Sequence, residues 1–83
     1  MITAESIERS IATGLVCEHV AVRGDGQHWE AVIVSGQFEG LPKVRQHQLV
    51  YTALGDRMRE EIHALSMTTL TPAQWDAAGK GKG

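Results

Sequence analysis

The stretch from Phe38 to Leu54, Phe-Glu-Gly-Leu-Pro-Lys-Val-Arg-Gln-His-Gln-Leu-Val-Tyr-Thr-Ala-Leu, constrains this chain more than any other. It reads as a turn feeding one long helix. Gly40 is free to adopt backbone angles that other residues avoid, and Pro42 presets the φ of a first helical turn, where its missing N–H is not needed. The helix is expected to start near Leu41. At about 100° per residue, Val44, His47, Val50, Tyr51 and Leu54 share one face, the expected core face, while Arg45, Gln48 and Thr52 lie opposite. Leu49 stands off that stripe beside Arg45, so it either packs against a neighbouring element or, with Arg45, belongs to a contact surface for a partner.

Size limits what such a helix can pack against. A single domain of 83 residues buries only about 60% of its unfolded surface, which leaves little room for a large internal catalytic cavity. The formal net charge of −2 argues against bulk binding of nucleic acid or of an anionic membrane. The single cysteine, Cys17, excludes an internal disulfide and fits a reducing compartment. With no bilayer-length apolar run and no basic-then-apolar leader, a cytoplasmic location and no membrane partner are expected. The closing Gly79–Gly83 reads as a flexible cationic tail, leaving residues 1–78 as the folded domain.

Thr3 can cap a first helix through Ala4, Ile7 and Ile11, with Ile2 placed to clasp Ile7 and Gly14 as the stop. From Val16 the period changes to two, with Val20 and Val22 on one side and His19, Ala21 and Arg23 on the other, so a first strand is expected there. Gly24-Asp25-Gly26 is a hairpin turn signal, and Trp29 to Ser35, apolar on both parities, reads as a central strand antiparallel to the first. After the long helix, Gly55-Asp56 offers a break and a cap for a short helix carrying Met58 and Ile62. Ala64 to Leu70 reads as a third strand, and Thr71-Pro72-Ala73-Gln74 as the capped start of a terminal helix, with Leu70 and Trp75 placed to staple. The order helix, strand, strand, helix, helix, strand, helix predicts an α+β fold. Its helical crossover makes the third strand parallel to the second, in a mixed three-stranded sheet with helices on one face.

That topology puts the start of the third strand at the same end of the sheet as the turn before the second. His63 therefore approaches Asp25 and His28, and imidazole and carboxylate are both able to ligate metal. Two histidines and an aspartate do not close a four-ligand site, so they are either surface or helix-capping residues or part of a site shared with another molecule. No nucleophile turn and no phosphate-binding glycine pattern stands out, so no enzyme is expected. Lys43, Arg45, Arg57 and Arg59 suggest DNA binding but form no clean basic stripe. Gly40-Leu41-Pro42-Lys43 lacks the second glycine of an RNA-clamping GXXG loop.

Phe38-Glu39-Gly40, the run Val44 to Tyr51, Ile62-His63-Ala64-Leu65-Ser66 and Thr69-Leu70-Thr71-Pro72-Ala73-Gln74-Trp75 together resemble the BolA family, over nearly the whole chain. The Gly-Asp-Gly turn followed by His28 and an aromatic looks most like its bacterial, acid-stress-associated branch. The resemblance implies a class II KH-like fold without the RNA-clamping loop. It also implies a monothiol glutaredoxin partner of the Cys-Gly-Phe-Ser type that shares a bridging [2Fe–2S] cluster with the chain. The glutaredoxin cysteine and a glutathione would supply the thiolates, and the chain alone, as a monomer or weak homodimer, would hold no cluster tightly. His63 matches the family's ligand histidine. The second family ligand, a cysteine or histidine in the loop between the first two strands, falls at Asp25 or at His28. A role in iron–sulfur trafficking or iron sensing is the first expectation. A DNA-binding regulator of stress response and cell morphology is the second, and a metal-free stress adaptor the third.

Overall fold

A computed structural model describes residues 2–60, 62 and 64–79. The ligand expected at His63 and the tail from residue 80 onwards lie outside the described residues. The elements are α1 (Ala4–Gly14), β1 (His19–Gly24), β2 (His28–Val34), a 3-10 turn (Gly36–Phe38), α2 (Lys43–Leu54), α3 (Arg57–Glu60), β3 (Ala64–Leu70) and α4 (Pro72–Ala77). This is the α+β order read from the sequence. The sheet runs β1-β2-β3, antiparallel between the first pair and parallel between the second.

Strand alternation assigns every sheet residue to a face. Val20 and Val22, Trp29, Ala31 and Ile33, and Leu65 and Met67 join the core with Ile7, Ile11, Leu15, Phe38, Val50 and Leu54 from the helical side. Ile7 and Ile11 are fully buried, and each isoleucine removed from water contributes about 1.5–3 kcal/mol. Thr3 caps α1 through a reciprocal box with Ser6. α1 and α2 cross closely at Gly14, where a Cβ would fall 2.8 Å from that of Ala53. On the opposite sheet face the salt bridge Arg23–Glu30, at 2.8 Å, lies in solvent. There α4 brings Trp75 across to stack on His19 of β1, with ring centroids 4.6 Å apart and planes at 22°. The stack lies at the end of that face where His19, Val34 and Leu70 are in register, and Val34 is fully buried.

Two expectations about α2 are corrected. The helix begins at Lys43, not near Leu41, because Pro42 has a helical φ of −67° but an extended ψ of 161° and serves as the cap. Its buried residues are Gln46, Val50 and Leu54, whereas Val44 and Tyr51, expected in the core, are 62% and 42% exposed. The reason is Gln46. Its Nε2 donates to the carbonyls of Phe38 (3.2 Å) and Leu41 (2.8 Å), and its Oε1 accepts from Thr69 Oγ1 at 2.6 Å. With both amide hydrogens donated and its oxygen accepting, the glutamine can be buried, and it takes the inward stripe in place of the one that hydrophobicity suggests. Leu49 packs half-buried against the core, which is the packing alternative, and Arg45 is exposed.

The first strand starts at His19 and not at Val16, which is 77% exposed. Val16 has its N–H on Gln37 Oε1 (2.7 Å) and its carbonyl on Ser35 Oγ (2.6 Å), so its backbone is tied to the loop after β2 and not to the ladder.

Candidate functional site

The parallel register pairs His28 with Ala64 and Trp29 with Leu65, so β2 and β3 begin at the same end of the sheet. The β1–β2 turn lies there too, since Gly24 pairs with Trp29. Thus Asp25, His28 and the first residue of β3 share one edge, as the crossover argument expects. His63 is joined directly to Ala64 in the chain, and its own position lies outside the described residues.

Each described member of this edge has a local reason for its place. Asp25 Oδ1 accepts from the backbone N–H groups of Gln27 and His28, both at 2.9 Å, and its own N–H donates to the His28 carbonyl at 3.2 Å. Such a side-chain turn is what aspartate does well, and Gly26, at φ 98°, supplies the left-handed corner. The two N–H groups, His28 first and Gln27 second, hold the Asp25 carboxyl below the usual carboxylate range. Asp25 is therefore a turn cap with one oxygen already committed. His28 is exposed and opens β2 with its side chain on the face opposite the core. A shallow open depression joins it to Arg23, Gly24, Asp25 and Glu30.

The floor beneath is tightly packed. A Cβ on Gly24 would lie 2.3 Å from the His28 carbonyl oxygen and 2.6 Å from the Trp29 ring, so the turn can sit on the indole only because residue 24 has no side chain. Trp29 is 5% exposed and its buried Nε1 has no hydrogen-bond partner among the described residues. Chemically, the described edge offers one accessible imidazole and one partly engaged carboxylate. Among the described residues no three histidine, cysteine, aspartate or glutamate side chains form a group able to hold a metal ion.

The other candidates read differently in three dimensions. Burial pushes the Cys17 thiol up, and its Sγ lies 3.4 Å from the Leu15 carbonyl. Lys43, one of the four basic residues weighed for DNA binding, places its Nζ on the Thr69 carbonyl. Sequence reasoning missed three features: the Gln46–Thr69 pair, the His19–Trp75 stack, and the bond from Val22 N–H to Glu8 Oε2 at 2.9 Å. All three join residues far apart in the chain, and none has a local pattern. No described helix is long and apolar enough to cross a membrane.

Comparison with known proteins agrees with the fold. A family model described as BolA-like protein matches residues 4–74. The DNA-binding transcriptional regulator BolA of Haemophilus influenzae is 39% identical over 59 residues, covering 71% of this chain but 57% of its own length, so the chain spans little more than half of that relative. The acid stress protein IbaG of Escherichia coli (strain K12) is 34% identical over 70 residues, 83% of each chain. The structure of a bolA protein homologue from Coxiella burnetii superimposes with a TM-score of 0.83 at 44% identity, covering 92% of this chain and 99% of that one.

Proposed function

Since the chain belongs to the BolA-like family, we propose that it is a non-catalytic interaction module that completes a [2Fe–2S] site together with a monothiol glutaredoxin. The observation that carries the reading is the register of His28 against Ala64, which sets an exposed imidazole at the strand end adjoining His63 in the chain. Imidazole is a suitable ligand for cluster iron, as in centres where two histidines replace two thiolates on one iron.

The donor set fits a shared site and not a closed one. His63 and His28 are the proposed ligands; Asp25 is the weaker one, because its Oδ1 is occupied by two backbone N–H groups and carboxylate is the harder donor. The remaining ligands would be thiolates from the glutaredoxin cysteine and glutathione. When bound, such a cluster supplies a one-electron centre and a deliverable iron–sulfur unit. This chain's own part is to present nitrogen donors at the sheet end that carries the Asp25 turn and the packing of Trp29 under Gly24. Arg45, exposed on α2, and Leu49 beside it are proposed as partner contacts, with Leu49 contributing only its uncovered half.

The test is reconstitution of the heterodimer with iron, sulfide and glutathione, read by visible absorption and circular dichroism. His63→Ala and His28→Ala are each expected to change the spectrum or shorten the cluster lifetime while leaving the fold intact. An unchanged spectrum and lifetime in His63→Ala removes the ligand assignment. The regulator reading is supported by the name of the Haemophilus relative. It is weakened by the engagement of Lys43 with Thr69, and a promoter titration at physiological salt showing about 10³-fold sequence discrimination would establish it.

A further inference from the structure

A three-stranded open sheet has two free edges, and each presents unpaired backbone groups able to accept another strand. In this chain the two edges are β1 and β3. The Asp25 N–H points to β2, since it donates to the His28 carbonyl. By alternation Val20, Val22 and Gly24 turn their N–H and C=O groups away from β2. Val22 is the middle one, and its outward N–H is taken by Glu8 Oε2 of α1 at 2.9 Å. On β3 the Leu70 carbonyl accepts from Ser35 N–H of the segment that continues β2, so the Thr69 carbonyl one residue earlier points outward. That carbonyl is taken by Lys43 Nζ of α2.

Each edge is thus met by a helix side chain of matching polarity: a carboxylate on the donor edge group, an ammonium on the acceptor. We infer that Glu8 and Lys43 are edge guards, which keep the sheet from being extended by the β1 or β3 strand of a second copy of this chain. The occupant follows from symmetry. Two β1 strands meeting antiparallel about a two-fold axis offer each other the same outward residues, so the edge is complementary to itself. With Glu8 in place an incoming carbonyl meets a carboxylate where it needs a donor.

This inference is independent of the cluster reading and is tested without metal or partner. Glu8→Ala, Lys43→Ala, the double variant, Glu8→Gln and the control Glu5→Ala are compared by sedimentation velocity over a wide concentration series, with backbone hydrogen exchange read by NMR. Glu8→Gln keeps an oxygen acceptor for Val22 N–H and is expected to remain close to wild type, as is Glu5→Ala. Glu8→Ala is expected to speed exchange of the Val22 amide about 10-fold or more at low concentration, the bond being lost. It should self-associate about 10-fold more tightly than wild type, with Val20 and Val22 amides becoming protected as concentration rises. The double variant is expected to go further, through both edges. Should Lys43→Ala fail to fold by circular dichroism, Glu8→Ala alone decides the β1 edge. If Glu8→Ala stays as monomeric as wild type, or associates without protecting Val20 and Val22, the guard role is overturned.

Discussion

Replacing Gln46 by alanine isolates the polar clamp that orients α2. The substitution removes three hydrogen bonds, to Phe38, Leu41 and Thr69, from a residue only 4% exposed. Their consequences differ. The Phe38 carbonyl keeps the Leu41 N–H at 3.1 Å, and the half-buried Leu41 carbonyl is within reach of water. The Thr69 hydroxyl, on a residue 1% exposed, is left without an acceptor. An orphaned buried hydroxyl costs about 1–3 kcal/mol. With the packing lost on truncation, the expected total is about 2–4 kcal/mol. A domain of this length has about 4–12 kcal/mol in all, so the melting temperature should fall by roughly 10–25 °C. Urea denaturation of Gln46→Leu, Thr69→Val and the double variant closes the cycle. The double variant should cost about 1–2 kcal/mol less than the sum of the singles, because neither partner is then left unpaired. Additive singles, or a Gln46→Ala cost under about 0.5 kcal/mol, would show that this pair does not hold α2 in its rotation.

Gly24→Ala is expected to destabilise by about 1–3 kcal/mol and to shift Trp29 fluorescence, because the new methyl meets the His28 carbonyl and the indole; an unchanged urea midpoint would refute that packing. For Asp25 the folded pKa is depressed, so its capping contribution is complete above the unfolded carboxylate value and is lost as the pH falls through the folded one. The Gln27 and His28 amide shifts should therefore titrate together below the normal aspartate range, and Asp25→Asn should abolish that titration. Cys17, half-buried and with its thiol pushed up, should react with an aromatic disulfide reagent more slowly than a free thiol at neutral pH and reach the free rate only on unfolding.

The parts of the fold written locally in the chain were legible from it. Thr3 and the Thr71-Pro72-Ala73-Gln74 start cap their helices as read, and in the structure both caps close as reciprocal boxes, the first through Ser6. The alternation of Val20 and Val22 against Ala21 and Arg23, and the two-sided apolarity of β2, gave the sheet faces and the central position of that strand. What failed was the rotation of α2. A periodicity count treats glutamine as outward-facing, and nothing near Gln46 in sequence shows that Thr69 will arrive to satisfy it. The site was legible as a topology, through the shared strand starts, but not as chemistry. Asp25 could be read both as a turn residue and as the weaker of the candidate ligands, and the 2.9 Å bonds to its Oδ1 show the capping role.

The pairing of His28 with Ala64 has a consequence for when this sheet end comes into being. The β1–β2 hairpin closes a short loop, whereas docking β3 beside β2 must close one containing all of α2 and α3, at a larger entropic cost. A half-folded chain with only the hairpin formed carries His28 but lacks the neighbouring strand start. The sheet end that the proposed partner would grip therefore exists only in the completed topology, and a ligand bound to both strands would stabilise the last step of folding by mass action.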